Sequence, residues 1–261
     1  MLFFTDLDRT LIYSKRFIQG AQSSAVLVES DGEKEIAFMT TGGLSLLREL
    51  ASVMLIIPVT TRNYGECQRI GILRELGLRY LIINNGAEIF CDGKRDEEYC
   101  DMIKLEIENL EYGFDKALQI FFDAFGRQDV KLCRISDDFL WLVVMNSEDF
   151  DHSLLLEIAD SLKNGGWTVA ATGKKIYLIP CAISKWRAVR YLSKKIDCGP
   201  LVCAGDSMMD KEMVENADVG IVPFGSELYD IMPGAVKTSC PGIMAGEEIL
   251  KFAKQIFEKL S

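Results

Sequence analysis

The sequence predicts an α/β fold with a parallel-sheet core and a smaller α+β domain inserted into it. Near both ends of the chain, short apolar runs typical of buried strands alternate with segments of helical periodicity. This alternation is the pattern of a parallel sheet with crossover helices. Between about Asp92 and Ser184 the order changes to helix, two strands, helix, two strands. That change indicates a separate α+β unit within the core.

The first part of the predicted core begins with an apolar run at residues 2–4, which is too short for a helix and suits a buried strand. Residues 25–29 and 35–39 flank Asp31 and Gly32 and predict a hairpin, because Asp-Gly favours a tight turn. The other elements predicted here are helices at residues 43–51 and 64–76 and strands at residues 54–59 and 80–83.

The inserted unit is predicted to contain helices at residues 109–125 and 150–162 and strands at residues 130–135, 140–146, 168–171 and 176–179. After it, the sequence predicts a helix at residues 185–195, strands at residues 201–204 and 219–222, and a closing helix at residues 246–260. We therefore expect a core formed by residues 1–90 and 181–261, with an inserted domain at residues 91–180.

Composition narrows the classes of function. The formal charge is 29 − 39 = −10, which opposes nonspecific binding to nucleic acid. No apolar run approaches the roughly 18 residues of a membrane span, and no signal peptide is recognisable. Eight cysteines without a Cys-x-x-Cys pair indicate thiols in a reducing cytoplasm. The single histidine, His152, lies at a predicted helix start and is interpreted as a surface residue.

Polar residues follow three of the predicted strands. Asp6 and Asp8 follow the first, Thr60 follows the second of the core, and Asp206 follows the strand at residues 201–204. Ligands of open parallel sheets bind at the carboxyl ends of the strands, so these side chains converge if their strands are neighbours. Carboxylates at the end of a buried strand are costly unless compensated, and a divalent cation is the simplest compensation. The sequence therefore predicts a metal-assisted carboxylate site.

Two further charged residues could join that site. Asp210 lies four residues after Asp206 across a strand-to-helix turn, a spacing that can place both carboxylates on one side. Lys185 opens the helix that leads into the strand at residues 201–204 and could bring a cation to the same edge.

Together these residues resemble the haloacid dehalogenase-like (HAD) superfamily of aspartyl-phosphate-forming phosphatases. The first motif is matched by Asp6-Leu7-Asp8-Arg9-Thr10, the second by Thr60, the third by Lys185 and the fourth by Gly205-Asp206-Ser207-x-x-Asp210. The four motifs occur in family order and cover nearly the whole chain. The insert between the second and third motifs is similar to that of the Cof-like branch, and the segment Asn85-Gly86-Ala87-Glu88 also resembles this branch.

The resemblance implies a Rossmann-like core with an inserted C2-type cap, and a phosphatase acting on a small phosphorylated metabolite such as a sugar phosphate. Asp6 would be the nucleophile, and Asp8 the general acid and base. Mg²⁺ would be held by Asp6, Asp206 and the backbone carbonyl of Asp8, with Asp210 in direct or indirect support. The phosphoryl oxygens would be bound by Thr60, Thr61 and Lys185.

The chain departs from the family pattern at three positions. Arg9 stands where the family usually has glycine, Thr61 replaces the glycine of the Thr-Gly-Arg version, and Met209 replaces a frequent asparagine. None of these changes removes a charged participant from the expected chemistry. Arg9 does place a bulky cation beside the mouth of the site.

Other interpretations stay open at the level of sequence. Thr60 could cap the following helix, Lys185 could be a solvated helix residue, and Asp210 could be a helix-start carboxylate. The same motifs fit a phosphomutase or phosphotransferase, and they also fit a non-catalytic regulatory protein of this fold. Cys181 and Arg187 have the Cys-x5-Arg spacing of cysteine phosphatases, but the glycines of that loop are missing, so we interpret the spacing as coincidence.

Overall fold

The computed structural model describes residues 1–196 and 199–260 of the chain. It divides into two compact units: unit 1 comprises Met1–Arg95 and Lys185–Ser261, and unit 2 comprises Asp96–Ser184. Each unit has its own hydrophobic core. No helix within the described residues is both long enough and apolar enough to cross a lipid bilayer.

The N-terminal part of unit 1 contains seven strands and three helices. In chain order they are β1 (Leu2–Thr5), β2 (Ala25–Asp31), β3 (Lys34–Thr40), α1 (Thr41–Ala51), β4 (Leu55–Pro58), α2 (Tyr64–Gln68), α3 (Gly71–Leu76), β5 (Tyr80–Ile83), β6 (Glu88–Cys91) and β7 (Lys94–Arg95). The predicted hairpin is confirmed, because β2 and β3 pair in antiparallel orientation.

Unit 2 is an antiparallel sheet with helices. Its elements are α4 (Glu97–Glu108), α5 (Phe114–Ala124), β8 (Val130–Ser136), β9 (Leu140–Met145), α6 (His152–Lys163), β10 (Trp167–Thr172) and β11 (Lys175–Pro180). The strand order is β10-β11-β9-β8. Phe121 of α5 and Phe125, which follows it, are buried in this unit's core with Trp167, and His152 is exposed at the start of α6.

The C-terminal part of unit 1 completes the main sheet. It contains α7 (Lys185–Ile196), β12 (Leu201–Ala204), α8 (Lys211–Glu215), β13 (Val219–Val222), β14 (Val236–Lys237) and α9 (Ile243–Leu260). The order of the five parallel strands is β14-β13-β12-β1-β4. One parallel bridge between Val59 and Ile82 joins β5 to the β4 edge. The α/β fold class is therefore confirmed.

The central strand explains the apolar run near the N-terminus. β1 lies between β12 and β4, with Phe3 opposite both Val202 and Ile56. All four of its residues are buried, as expected for an interior strand of a parallel sheet covered on both faces. The strands that precede Asp6, Thr60 and Asp206 are thus direct neighbours.

Two helix predictions are wrong. The single helix predicted at residues 64–76 is two helices, α2 and α3, because the backbone of Ile70 forms an antiparallel bridge with Glu29 of the hairpin. The helix predicted at residues 109–125 starts only at Phe114, after Gly113 as its N-cap. A separate helix, α4, precedes it and is capped by Asp96, whose side chain accepts from the Tyr99 backbone N–H.

Candidate active site

Three neighbouring strand ends bring the predicted polar residues to one edge of the sheet in unit 1. Asp6 follows β1 and its backbone N–H donates to the Ala204 carbonyl of β12 at 2.9 Å. Thr60 follows β4, and Asp206 follows β12. These three residues are between 0% and 6% exposed, so their polar groups lie beneath the surface.

The charged centre of the site is a lysine among three carboxylates. The Lys185 ammonium donates to Asp6 Oδ1 and to Asp210 Oδ1, each at 2.6 Å. Asp6, Asp206 and Asp210 each offer a carboxylate oxygen within 4.8 Å of the others. The structure therefore brings together four of the residues that the sequence singles out, and Lys185 is not a solvated helix residue, since it is 1% exposed.

Asp210 is held in place by the turn that follows β12. Its Oδ2 accepts from the backbone N–H groups of Asp206 (3.2 Å) and Ser207 (3.0 Å) and from the Ser207 hydroxyl (2.8 Å). It precedes α8, but its side chain makes no capping bond to that helix. Gly205 permits this packing, because a Cβ there would lie 2.3 Å from the Asp210 Cβ. Asp210 is thus more than a helix-start carboxylate.

The electrostatics of this cluster show a deficit of positive charge. Burial raises the pKa of Asp6 to about 7, with Lys185 opposing the rise and Asp210 and Asp8 adding to it. Burial, together with Asp6 and Asp210, raises the pKa of Asp206 well above its ordinary value. Burial alone would lower the pKa of Lys185, but Asp210 and Asp6 outweigh it and raise that pKa. Three carboxylates and one ammonium sum to −2 when all are ionised.

The donor set fits a divalent cation. Three buried carboxylates offer hard oxygen ligands, which Mg²⁺ prefers in proteins. The Asp206 carboxylate has no hydrogen-bond donor among the described residues, whereas both oxygens of Asp210 already accept bonds. A charge of +2 would balance the cluster and offset both the burial and the mutual repulsion that raise the pKa values of Asp6 and Asp206. Asp6, Asp206 and Asp210 are therefore the residues that would hold Mg²⁺.

Asp8 lies outside the carboxylate cluster and is bound by an arginine. Its side chain is 52% exposed, and its two oxygens accept from Arg62 Nε at 2.7 Å and Arg62 Nη2 at 2.8 Å. The third nitrogen, Nη1, donates to Glu29 Oε1 at 2.7 Å. Burial alone would lower the pKa of Arg62, but Asp8 and Glu29 raise it, so the guanidinium is charged. The proposed contribution of the Asp8 carbonyl to a metal site stays a prediction.

The sequence interpretation missed Arg62 and Glu29. Arg62 had a signal, because it occupies the arginine position of the Thr-Gly-Arg version of the second motif. Glu29 had no such signal in the sequence, since it lies in a hairpin that no motif covers. Only the folded structure brings it next to Arg62.

Two of the candidate phosphate-binding residues, Thr60 and Thr61, directly precede this arginine in the sequence. The Thr60 hydroxyl accepts from the Arg62 backbone N–H at 3.2 Å. Helix α2 is capped by Asn63, whose side chain accepts from the Glu66 N–H, and not by Thr60. Thr61, which lies between Thr60 and Arg62 in the sequence, is half-buried. The roles of Thr60, Thr61 and Lys185 toward a phosphate stay predictions.

Arg9 adopts a backbone conformation that usually requires glycine. Its φ is 60°, in the left-handed region that costs L-residues with a Cβ roughly 1 kcal/mol or more. Its guanidinium lies 5.5 Å from the centre of the Phe17 ring, and its charge partly opposes the rise that burial causes in the pKa of Asp206. The departure from glycine therefore adds positive charge next to the carboxylates.

Cys181 does not have the properties of a cysteine nucleophile. Burial of part of the side chain raises its thiol pKa, and Lys163 opposes this only in part. A catalytic cysteine needs a lowered pKa, because the thiolate is the reactive form. The Cys-x5-Arg spacing therefore has no support in the chemistry of this thiol.

Comparison with solved structures shows that the chain shares its fold with several phosphatases, among them a HAD subclass IIB sugar phosphatase. A sucrose-phosphatase from Synechocystis sp. PCC6803 is 17% identical over 97% of each chain, with a TM-score of 0.70. A HAD subclass IIB sugar phosphatase is 13% identical over 98% of each chain, with a TM-score of 0.66. A trehalose-6-phosphate phosphatase related protein is 19% identical over 100% of each chain, with a TM-score of 0.56.

At these identities the similarity establishes the fold and not the reaction. No protein-family model matches the sequence, and no curated protein matches it. The activity must therefore be argued from the residues of the site.

Proposed function

We propose that this chain is a Mg²⁺-dependent phosphatase of small phosphorylated metabolites, with a sugar phosphate as the favoured substrate. The observation that carries the proposal is the buried cluster of Asp6, Asp206 and Asp210 around Lys185 at the carboxyl edge of a parallel sheet. Phosphoryl transfer needs little beyond positioning and neutralisation of charge, and such a cluster can supply both.

In the proposed reaction Asp6 is the nucleophile. One of its carboxylate oxygens attacks phosphorus while the bond from phosphorus to the leaving oxygen breaks, which leaves an acyl phosphate on Asp6. Lys185 contacts Asp6 Oδ1 at 2.6 Å and restrains the carboxylate. When bound, Mg²⁺ supplies the positive charge that lets an anionic carboxylate approach an anionic phosphate.

Asp8 is the proposed general acid and base. It gives a proton to the leaving oxygen in the first step and removes a proton from the attacking water in the second. Its carboxylate is 52% exposed, so it is accessible to a substrate. Thr60, Thr61 and Lys185 are proposed to bind the phosphoryl oxygens.

Two observations support the choice of a sugar phosphate. The similar structures named above include a sucrose-phosphatase and a sugar phosphatase, and the net charge of −10 favours a small metabolite over a nucleic acid. The proposal places the enzyme in a reducing cytoplasm, which fits the free thiols of the seven cysteines that the structure describes.

The test is a panel of sugar phosphates and aryl phosphates assayed with Mg²⁺ and with a chelator. We expect phosphate release only with Mg²⁺, and a loss of at least about 10³-fold in kcat for Asp6→Asn, because removing the nucleophile leaves no covalent route. Asp31→Asn, in the exposed turn of the hairpin, is the matched control and should retain activity. Wild-type activity in Asp6→Asn would contradict the mechanism.

Product analysis separates the competing reactions. A hydrolase releases inorganic phosphate, whereas a phosphomutase or phosphotransferase passes the phosphoryl group to a second hydroxyl. A properly folded wild-type protein without turnover on the whole panel would favour a non-catalytic protein of this fold.

A further inference from the structure

We infer that Glu29 is a positioning residue, which holds the carboxylate of Asp8 in place through Arg62. The inference rests on the proposed function, because it takes Asp8 as the acid that protonates the leaving oxygen. It assigns a role to the β2–β3 hairpin, which none of the family motifs includes.

The contacts form one continuous chain of ion pairs. Arg62 donates to Asp8 through Nε and Nη2, at 2.7 and 2.8 Å, and to Glu29 through Nη1, at 2.7 Å. A guanidinium is planar and its donors form a rigid fork, so the position of one bonded carboxylate restricts the position of the other. Because Glu29 fixes the orientation of the Arg62 guanidinium, it also restricts the orientation in which the Asp8 carboxylate can bind to that guanidinium.

Two hydrogen bonds fix the backbone of Arg62, and neither of them involves the ion pairs of its side chain. Its N–H donates to the Thr60 hydroxyl at 3.2 Å, and its carbonyl accepts from the Asn84 N–H at 2.9 Å. With the backbone anchored, the orientation of the guanidinium depends on its side-chain partners. Of these partners, Asp8 is half exposed and Glu29 is buried, so Glu29 is the fixed end.

Burying the Glu29 carboxylate at this position costs free energy. Its side chain is 0% exposed, that of Arg62 is 11% exposed, and the second cation, Arg69, lies at 3.4 Å. Its other oxygen, Oε2, has no hydrogen-bond partner in the described part of the chain. Buried ion pairs rarely add stability relative to apolar residues. A role in orienting Arg62 gives this carboxylate a reason to be there.

The local structure of β2 turns Glu29 inward. Val28 and Glu29 are consecutive and both buried, whereas Leu27 and Ser30 on either side of them are exposed. Regular alternation would place Val28 and Glu29 on opposite faces of the hairpin. The register shifts on both sides of Glu29 mark a bulge, and bulges redirect side chains near active sites. The bridge from Glu29 to Ile70 then fixes the bulged residue against the α2–α3 break.

A misplaced Asp8 should affect leaving groups unequally. In the first step the bond from phosphorus to the leaving oxygen breaks, the bond to Asp6 forms, and the Asp8 proton moves to the leaving oxygen. p-Nitrophenol is a more acidic leaving group than phenol, so it depends less on that proton. The ratio of kcat/KM for phenyl phosphate to kcat/KM for p-nitrophenyl phosphate therefore reports the function of Asp8 as an acid. The parameter kcat/KM is suitable because it includes only the steps up to and including transfer of the phosphoryl group to Asp6.

The experiment measures that ratio in wild type, Glu29→Gln, Glu29→Leu and the control Glu35→Gln. Glu35 lies on the same hairpin in an exposed ion pair with Lys15. We expect the ratio to fall by at least about tenfold in Glu29→Leu and by less in Glu29→Gln, which keeps an acceptor; general acids contribute about 10²–10⁴-fold. The ratio should stay at the wild-type value in Glu35→Gln, and Asp8→Asn should reproduce the fall.

Arg62→Lys provides a second variant in case the Glu29 variants fail to fold. Lysine keeps the charge but cannot bridge two carboxylates with a rigid fork, so the ratio should fall as in Glu29→Leu. An unchanged ratio in folded Glu29 or Arg62 variants, with an active wild type, would overturn this inference alone. A folded wild type that hydrolyses neither of these phosphates nor any sugar phosphate of the panel would overturn the proposed function and this inference with it.

Discussion

The pKa of Asp6 links the charge of the site to the stability of the protein. Burial raises that pKa to about 7 from an ordinary value of 3.8. The folded protein therefore binds a proton more tightly than the unfolded chain, and Asp6 destabilises the fold progressively as the pH rises from about 4 to about 7. The effect is about 4 kcal/mol for the metal-free protein, since one pKa unit corresponds to about 1.4 kcal/mol. Mg²⁺ binds the carboxylate form, so it should offset this loss.

The raised pKa of Asp6 predicts how the thermal stability of the chain depends on pH when a chelator removes metal ions. We expect the Tm to fall between pH 5 and pH 7.5, and addition of Mg²⁺ at pH 7.5 to raise it again. Asp6→Asn cannot ionise at this position, so its Tm should depend less on pH over the same range. The measurement is differential scanning fluorimetry with and without Mg²⁺. A Tm that rises with pH in the chelator would contradict the argument.

The residues of the carboxylate cluster could be predicted from sequence for a physical reason. Asp6 and Asp206 directly follow short apolar runs, and buried strands of a parallel sheet deliver such residues to one edge. Glu29 could not be predicted, because a bulge in an ordinary hairpin decides which way it points. The interaction of Asp8 with Arg62 depends on side-chain geometry that no spacing encodes.

At the scale of elements, strands were predicted more closely than helices. The bounds of β5, β12 and β13 are those expected from their apolar runs, because Gly, Pro or polar residues flank these short segments on both sides. The α2–α3 break was missed, since residues 64–76 carry no proline that would interrupt a helix. A tertiary contact, the bridge between Glu29 and Ile70, overrides the local preference there.

The turn between β12 and α8 gives a prediction at this scale. A methyl group at Gly205 would lie 2.3 Å from the Asp210 Cβ and 2.6 Å from its carboxyl carbon, so the turn must shift and Asp210 with it. Gly205→Ala should lower phosphatase activity by at least about tenfold and destabilise the fold by about 1–3 kcal/mol. The measurements are kcat/KM with saturating Mg²⁺ and urea unfolding.

Gly234→Ala is the matched control for that change. A Cβ at Gly234 would have nothing within 4 Å, so the substitution should leave activity unchanged and alter stability by less than about 1 kcal/mol. Equal effects of the two substitutions would show that steric contact with Asp210 is not the cause.

At the scale of the whole molecule, the residues of the proposed chemistry belong to one unit. The residues of the proposed mechanism, together with Glu29 and Arg62, all lie in Met1–Arg95 and Lys185–Ser261. Their sheet is covered by a core that includes Phe3, Leu47 and Ile249 from within the same unit. Asp96–Ser184 has a separate core around Phe121 and Trp167. By resemblance to the C2-type caps, we assign selection of the leaving group to this second unit, as a proposal.

This separation predicts the behaviour of a chain in which residues 96–184 are replaced by a long Gly-Ser linker. Since unit 1 contains every carboxylate of the cluster and Lys185, the shortened protein should keep Mg²⁺-dependent hydrolysis of p-nitrophenyl phosphate. Its preference among sugar phosphates should largely disappear if the second unit selects the leaving group, as proposed. Asp6→Asn in the same background is the control for the reaction. A folded shortened protein that retains the full-length order of sugar-phosphate kcat/KM values would show that unit 1 selects the substrate.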